Sequence, residues 1–359
     1  MRRRVPRLLT SSALTAVAGV LATTLSACAP TMASDPATWS NHDLAAQQVL
    51  AGVDMSRLPA ATAWARAGIG GVIMFGTPPL DLGQQLAAVR AAGSVPPLIA
   101  SDEEGGLVQR LTRVIYPLPS AATMGQYDSP AQIQSIAAAY GRRMKALHVD
   151  VDLAPVADLA IPGYYMASLG RAFSATPSVV SADVIGWDAG MRSAGVLPVI
   201  KHWPGHGQAS NTHVGAATTP PLSTLQVRDM IPFANALAAG APAVMVGHLD
   251  VPGLTGGLPA TLSPAAYSYL RRVAGPNKLI MTDSVTMGAV TTAIGESSPA
   301  AAVRALQAGA DVIVIVTDDA DPMLEVAAIT HALDTGAYSR TASIAAVRRM
   351  LAAKRLVGD

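Results

Sequence analysis

Three short segments carry side chains whose types and spacing suit proton transfer or nucleophilic attack. The densest reads Lys201-His202-Trp203-Pro204-Gly205-His206-Gly207-Gln208-Ala209-Ser210-Asn211-Thr212-His213, and it holds three of the seven histidines and one of the four lysines. A histidine titrates near neutral pH, so it can give and take protons during a reaction. His202 and His206 have a spacing that on one helix face would suit zinc, but Pro204, Gly205 and Gly207 break any helix there, and no metal is expected. The small polar residues after Gly207 read as a mobile loop able to close over a substrate, with His213 as its proton shuttle. A second segment, Ser101 to Arg110, sets Asp102 at the end of an apolar run, then Gly105 and Gly106 for a tight turn, then Arg110. Asp102 and Arg110 can grip neighbouring sugar hydroxyls, one accepting and the other donating, or form an ordinary ion pair. The third segment, Leu279 to Met287, sends Asp283 out of an apolar run. Burial raises the pKa of such a carboxyl unless it is paired, and it serves either as a covalent nucleophile or as an acceptor for loop amides.

These residues need a frame that brings them together. Short apolar runs at Val49–Asp54, Gly70–Gly76, Pro97–Asp102, Val149–Pro155, Val196–His202, Ala243–His248, Lys278–Asp283 and Asp311–Val316 alternate with helical patterns. The helical patterns include Leu82–Ala92, Ala131–Leu147, Ser178–Ser193, Leu222–Ala239 and Ala300–Ala308. Runs apolar on both faces indicate a parallel sheet covered by helices. Eight such units without a glycine-rich dinucleotide turn favour an α/β fold of the closed (β/α)8 TIM-type over an open doubly wound sheet. In a barrel the chemistry sits where strands end. The exits carry Asp54, Asp102, Asp152 with Asp158, Lys201, His202, His248, Asp283, Asp318 and Asp319. The 359 residues suffice for one such domain with extensions, and a net charge of +1 argues against a nucleic-acid partner. No cofactor is expected, and the chain is expected to be a monomer.

The N-terminus differs in character. Arg2, Arg3, Arg4 and Arg7 precede an uncharged apolar stretch from Leu8 to Ala27, the layout of a secretory signal. That stretch ends Leu25-Ser26-Ala27-Cys28, which resembles the bacterial lipobox, a resemblance that implies lipidation of Cys28 after removal of residues 1–27. Residues 28–40 then read as a tether, with the globular domain at 41–359. Cys28 is the only cysteine, so no internal disulfide can form.

Together the motifs resemble those of the family 3 glycoside hydrolases, in particular the single-barrel bacterial β-N-acetylglucosaminidases. Asp102 to Arg110 matches Asp-x-Glu-Gly-Gly-x-Val-Gln-Arg, Lys201 to Gly207 matches Lys-His-[Phe/Trp]-Pro-Gly-His-Gly, and Thr282 to Met287 matches [Ser/Thr]-Asp-x-x-[Ser/Thr]-Met. Gly170 to Ser174 resembles the Gly-x-Arg-x-Phe segment of the same family. The resemblance implies Asp283 as nucleophile and His213 as acid/base, with Asp102, Arg110, Arg171, Lys201 and His202 holding a terminal GlcNAc. It also implies a retaining exo-β-N-acetylglucosaminidase that acts on peptidoglycan fragments outside the cytoplasmic membrane, anchored through Cys28. A histidine in place of a second carboxylate lowers repulsion toward anionic acceptors, which keeps phosphorolysis open as a lesser reading. The tripeptide Asn211-Thr212-His213 departs from the family's Asp-Ser-His, and the interval before it is one residue shorter. Asn211 cannot stabilise an imidazolium as a carboxylate does, so the alternative is a catalytically weakened sugar-binding lipoprotein. The matching Asp-to-Asn change in serine proteases costs about 10⁴ in rate.

Overall fold

The computed structural model describes residues 31–316 and 321–358. The expected signal segment 1–27, Cys28, Asp318 and Asp319 lie outside the described residues. Eight parallel strands close into a barrel in sequence order. They are β1 (Val49–Asp54), β2 (Gly71–Phe75), β3 (Leu98–Ser101), β4 (Val151–Asp152), β5 (Leu197–Trp203), β6 (Ala243–Val246), β7 (Leu279–Ser284) and β8 (Val312–Ile315). The seam pairs Val49 with Ile313, so the first and last strands are hydrogen-bonded neighbours.

The apolar runs follow from two buried faces. Leu50, Ile73, Leu98, Val151, Leu197, Met245, Met281 and Val314 fill the barrel, while alternating residues such as Val49, Val72, Ile99 and Ile280 pack outward under the helices. Helices α1 (Leu58–Arg66), α2 (Leu82–Ala92), α3 (Pro130–Ala146), α4 (Pro177–Ser193), α5 (Ile231–Ala238), α6 (Pro264–Ala274), α7 (Ser298–Ala308), α8 (Met323–Asp334) and α9 (Arg340–Val357) form the outer layer. Their starts are encoded locally. Ser129 and Gln132 make a reciprocal capping box at α3 behind Pro130, and Ser263 and Ser339 cap α6 and α9.

Three features were not foreseen in the sequence. The helix expected over Leu222–Ala239 is broken into Leu222–Gln226 and α5, with Asp229 and Pro232 at the break. The break seats Asp229 beneath the Gly205–Gly207 turn, where a Cβ on Gly205 would lie 2.7 Å from that of Asp229. The second feature is α9, which lies across the end of the barrel where the strands begin. Its Met350, Ala353 and Val357 complete the interior cluster as a plug. The third concerns the expected tether. Within it Pro36 and Trp39 are already buried, Arg340 donates to the Trp39 carbonyl at 2.6 Å, and Arg355 donates to the Met32 carbonyl at 2.9 Å. Residues 32–40 therefore dock against α9 instead of hanging free, because two backbone carbonyls and Asp35 find arginine partners there, while the Trp39 indole donates to Ser34 Oγ at 2.7 Å.

Candidate active site

At the opposite end, where the strands finish, a cavity of about 270 Å³ opens to solvent. Its lining includes Asp102, Arg110, Arg171, Lys201, His202, His213 and Asp283, every candidate site residue from the sequence except Asn211 among those described. The barrel side chains Ile73, Leu153, Met245 and Val314 close its floor.

Beyond β3 the chain folds into a hairpin of Glu103–Gly105 against Val108–Gln109. Gly105 has φ +82°, and a Cβ there would lie 2.1 Å from the Pro119 carbonyl oxygen, so the turn requires glycine. Glu103 pins the hairpin from below, accepting from Ser101 Oγ at 2.5 Å and Tyr140 Oη at 2.6 Å. Burial raises its pKa to about 7.

Glu104 faces the cavity between two cations. Arg171 donates to both of its oxygens at 2.7 Å, and Lys201 Nζ lies 2.7 Å from Oε1. Burial works against the charge, yet Lys201 and Arg171 hold this carboxyl down to about 2. Lys201 also donates to Asp102 at 2.7 Å, and the two carboxylates hold it charged against burial. Four charges thus balance on one wall, each with an oxygen or nitrogen fixed by its neighbour. Arg110 adds a buried Nε without a hydrogen-bond partner.

His202 follows Lys201 at the end of β5 and lines the same cavity; the peptide between them is cis. The buried Asp158 accepts from the His202 ring at Nδ1 (2.8 Å) and from the His206 backbone amide (2.7 Å). With Nδ1–H engaged, Nε2 of His202 is the ring atom left for the cavity. His206 is absent from the cavity lining. Burial lowers its pKa to about 4, and its ring stacks at a tilt 5.9 Å from Tyr165. Among the described residues no group of three His, Cys, Asp or Glu is arranged to hold a metal ion.

Asp283 stands half-buried at the end of β7, accepting from the Ser284 amide at 2.7 Å. Burial opposes ionisation, but His248, His202, the Ser284 amide and Lys201 outweigh it and hold the carboxyl below its usual value. Behind it, His248 Nε2 donates to the Ser284 carbonyl and Nδ1 accepts from Thr261 Oγ1, both at 2.7 Å. Burial lowers the pKa of that imidazole against the pull of the Asp283 charge, and the two bonds fix which nitrogen carries the proton of its neutral form.

His213 reaches the cavity on the loop after β5. Its carbonyl accepts from the Gly288 amide at 3.1 Å, and the Thr212 carbonyl accepts from Ala289 at 3.1 Å. The loop expected to be mobile is therefore docked on the segment that follows Asp283. Burial lowers the His213 pKa against the pull of the Asp283 charge. The Asn211 side chain makes its hydrogen bond to the backbone and not to the imidazole. Its Oδ1 accepts from the His213 backbone amide at 3.0 Å, closing an Asx turn.

Residues 59–353 match the model of the glycosyl hydrolase family 3 N terminal domain. The chain belongs to glycosyl hydrolase family 3. A curated relative, beta-hexosaminidase LpqI of Mycobacterium tuberculosis, is 36% identical over 292 residues, 79% of this chain and 74% of that protein. A family 3 glycosyl hydrolase structure from Mycobacterium smegmatis superposes with a TM-score of 0.82 at 36% identity, covering 89% of this chain and 98% of that one. A family 3 beta-N-acetylglucosaminidase from Paenibacillus gives a TM-score of 0.82 at 28% identity, over 89% of this chain and 63% of that one. The protein is thus a glycoside hydrolase on a single closed barrel, as the motifs implied.

Seen as a family 3 cavity, the rim sorts into lining and support. Asp54 caps the turn after β1 through the Ser56 amide, and Asp152 accepts from the Glu103 amide and Trp187 Nε1 between the sheet and α4. Neither lines the cavity. Glu104 is the charged lining residue that sequence reasoning passed over, although it stands in the Asp-x-Glu-Gly-Gly motif. Asp158 and His248 were visible only as strand-exit residues, because their roles depend on partners far along the chain.

Proposed function

We propose that this family 3 hydrolase is an exo-β-N-acetylhexosaminidase that removes terminal GlcNAc from peptidoglycan fragments by double displacement. The observation that carries the reading is an ionised Asp283 and an exposed, titratable His213 on one floor-closed cavity, beside a wall of paired charges. A closed floor accepts a chain end and excludes an internal sugar. Glu104, Asp102, Lys201, Arg171 and Arg110 offer paired acceptors and donors for the hydroxyls of one ring. Asp283 attacks the anomeric carbon as His213 protonates the departing oxygen. A glycosyl-enzyme forms on Asp283, and His213 then takes a proton from the water that releases the sugar. The likeness to LpqI, a beta-hexosaminidase, and to the Paenibacillus beta-N-acetylglucosaminidase supports the hexosaminidase class. The signal layout and Cys28 support a chain lipid-anchored at the outer face of the cytoplasmic membrane, acting as a monomer.

An aryl β-GlcNAc substrate and a 5-fluoro GlcNAc analogue test this together. Rapid hydrolysis, loss of at least about 10⁴ in kcat for Asp283→Ala, and a trapped sugar on the Asp283 peptide are expected. Unimpaired turnover in Asp283→Ala would sink the mechanism, and a label on another residue would move the nucleophile.

A further inference from the structure

Opposite the active-site mouth, the barrel presents a face whose charge is uneven. Of the four lysines only Lys201 lies at the mouth; Lys145 ends α3, Lys278 leads into β7 and Lys354 ends α9. The helices run back against the strands, so Arg66, Arg90 and Arg192 in the last turns of α1, α2 and α4 reach the same face. Its buried carboxylates are each shared by two cations. Asp311 takes Arg271 and Arg349 and that cluster keeps a net positive charge, Asp150 takes Arg90 and Lys145, and Asp188 is the exception, paired with Arg192 alone. Arg355 is exposed and its guanidinium is tied to a neutral carbonyl; next to it Leu356 is 65% exposed.

The described chain begins on this same face. Met32 lines a second cavity there with Pro96, Leu98 and Val357. Cys28 precedes Met32 by four residues, a reach of at most about 14 Å. We propose that this basic face rests on an anionic phospholipid surface and that the active-site mouth opens on the far side, away from the membrane. The proposal rests on lipidation at Cys28, as read above. The anchor supplies attachment, and the arginines, within one to two Debye lengths of the lipid phosphates at about 8 Å each, supply the orientation. Leu356 adds an apolar contact at the headgroup boundary.

Orientation can be read without assuming lipidation in the cell. The full chain is coupled through Cys28 to a maleimide-bearing lipid in vesicles of phosphatidylglycerol and phosphatidylcholine, and amide hydrogen exchange is followed by mass spectrometry. Exchange slowed several-fold in 64–68, 190–196 and 352–358, with 103–111 and 210–216 unchanged, is expected. Slowing at the mouth segments, or no difference between the faces, overturns the proposal. Arg66→Glu and Arg355→Glu combined should abolish the slowing while leaving hydrolysis of a soluble aryl glycoside intact; slowing that survives these changes overturns the charge argument. The anchor is read separately, from the intact mass of membrane-extracted chain beside Cys28→Ser. An unmodified Cys28 there defeats the anchor alone, since the exchange pattern still reports which face meets lipid.

Discussion

His213 is the residue whose titration the site leaves most exposed to its surroundings. Burial holds its pKa below the usual imidazole value, and Asn211 brings no charge to counter that. The protonated fraction falls as pH rises through the pKa, so leaving-group protonation fades from below about pH 6.5. With a poor leaving group, kcat/KM should therefore show an alkaline limb below that value. The acid limb, from Asp283, should lie below the usual carboxylate range. Asn211→Asp puts a carboxylate on the turn that carries the ring, bonded to the His213 amide, and should move the alkaline limb up by on the order of one pH unit, with faster turnover above it. A pH–rate profile checks both, and a limb that stays in place separates position 211 from the imidazole. Asp283, His213, Asp102, Arg110, Arg171, Lys201 and His202 were legible because each sits in a short motif with a distinct chemical type. Asp158 was not, since its bonds to the His202 ring and the His206 amide span more than forty positions and arise only from folding.

Among the elements, the docked loop depends on one close approach. A Cβ on Gly288 would lie 2.8 Å from the His213 carbonyl oxygen and 2.9 Å from the Val214 carbonyl carbon. Gly288→Ala should push the loop outward. A misplacement near 1 Å can cost about 10²-fold in rate, so kcat should fall by one to two decades, with the midpoint of thermal unfolding nearly unchanged. Equal losses of rate and stability would instead place the glycine in the core. The eight strands were readable to within about two residues at most ends, because continuous apolar runs bounded by glycine, proline or acids have few other solutions. The break in Leu222–Ala239 was marked only by Pro232, which sits in the first turn of the second helix, while both halves keep helical composition. Composition also hid the docking of residues 32–40, where Ser, Thr and Pro surround a Trp39 that is buried.

For the molecule as a whole, α9 closes what the strands leave open. Met350→Ala would remove a fully buried side chain from the plug and should cost about 2–5 kcal/mol. The expected readout is a thermal midpoint several degrees lower with kcat unchanged, because the plug lies at the end of the barrel away from Asp283. A matching fall in kcat would mean that plug and mouth are mechanically linked. The barrel seam has a further consequence in time. Val49 pairs with Ile313, so β1 waits for nearly the entire chain before its open side is covered. Until then β1 and the newest strand each expose a row of unpaired amides and carbonyls, the template on which another chain can add. Contacts so distant along the chain form slowly. Synthesis that halts before β8 and α9 therefore yields a sticky open sheet, not a smaller barrel, and the last stretch of chain decides whether everything before it stays apart from its neighbours.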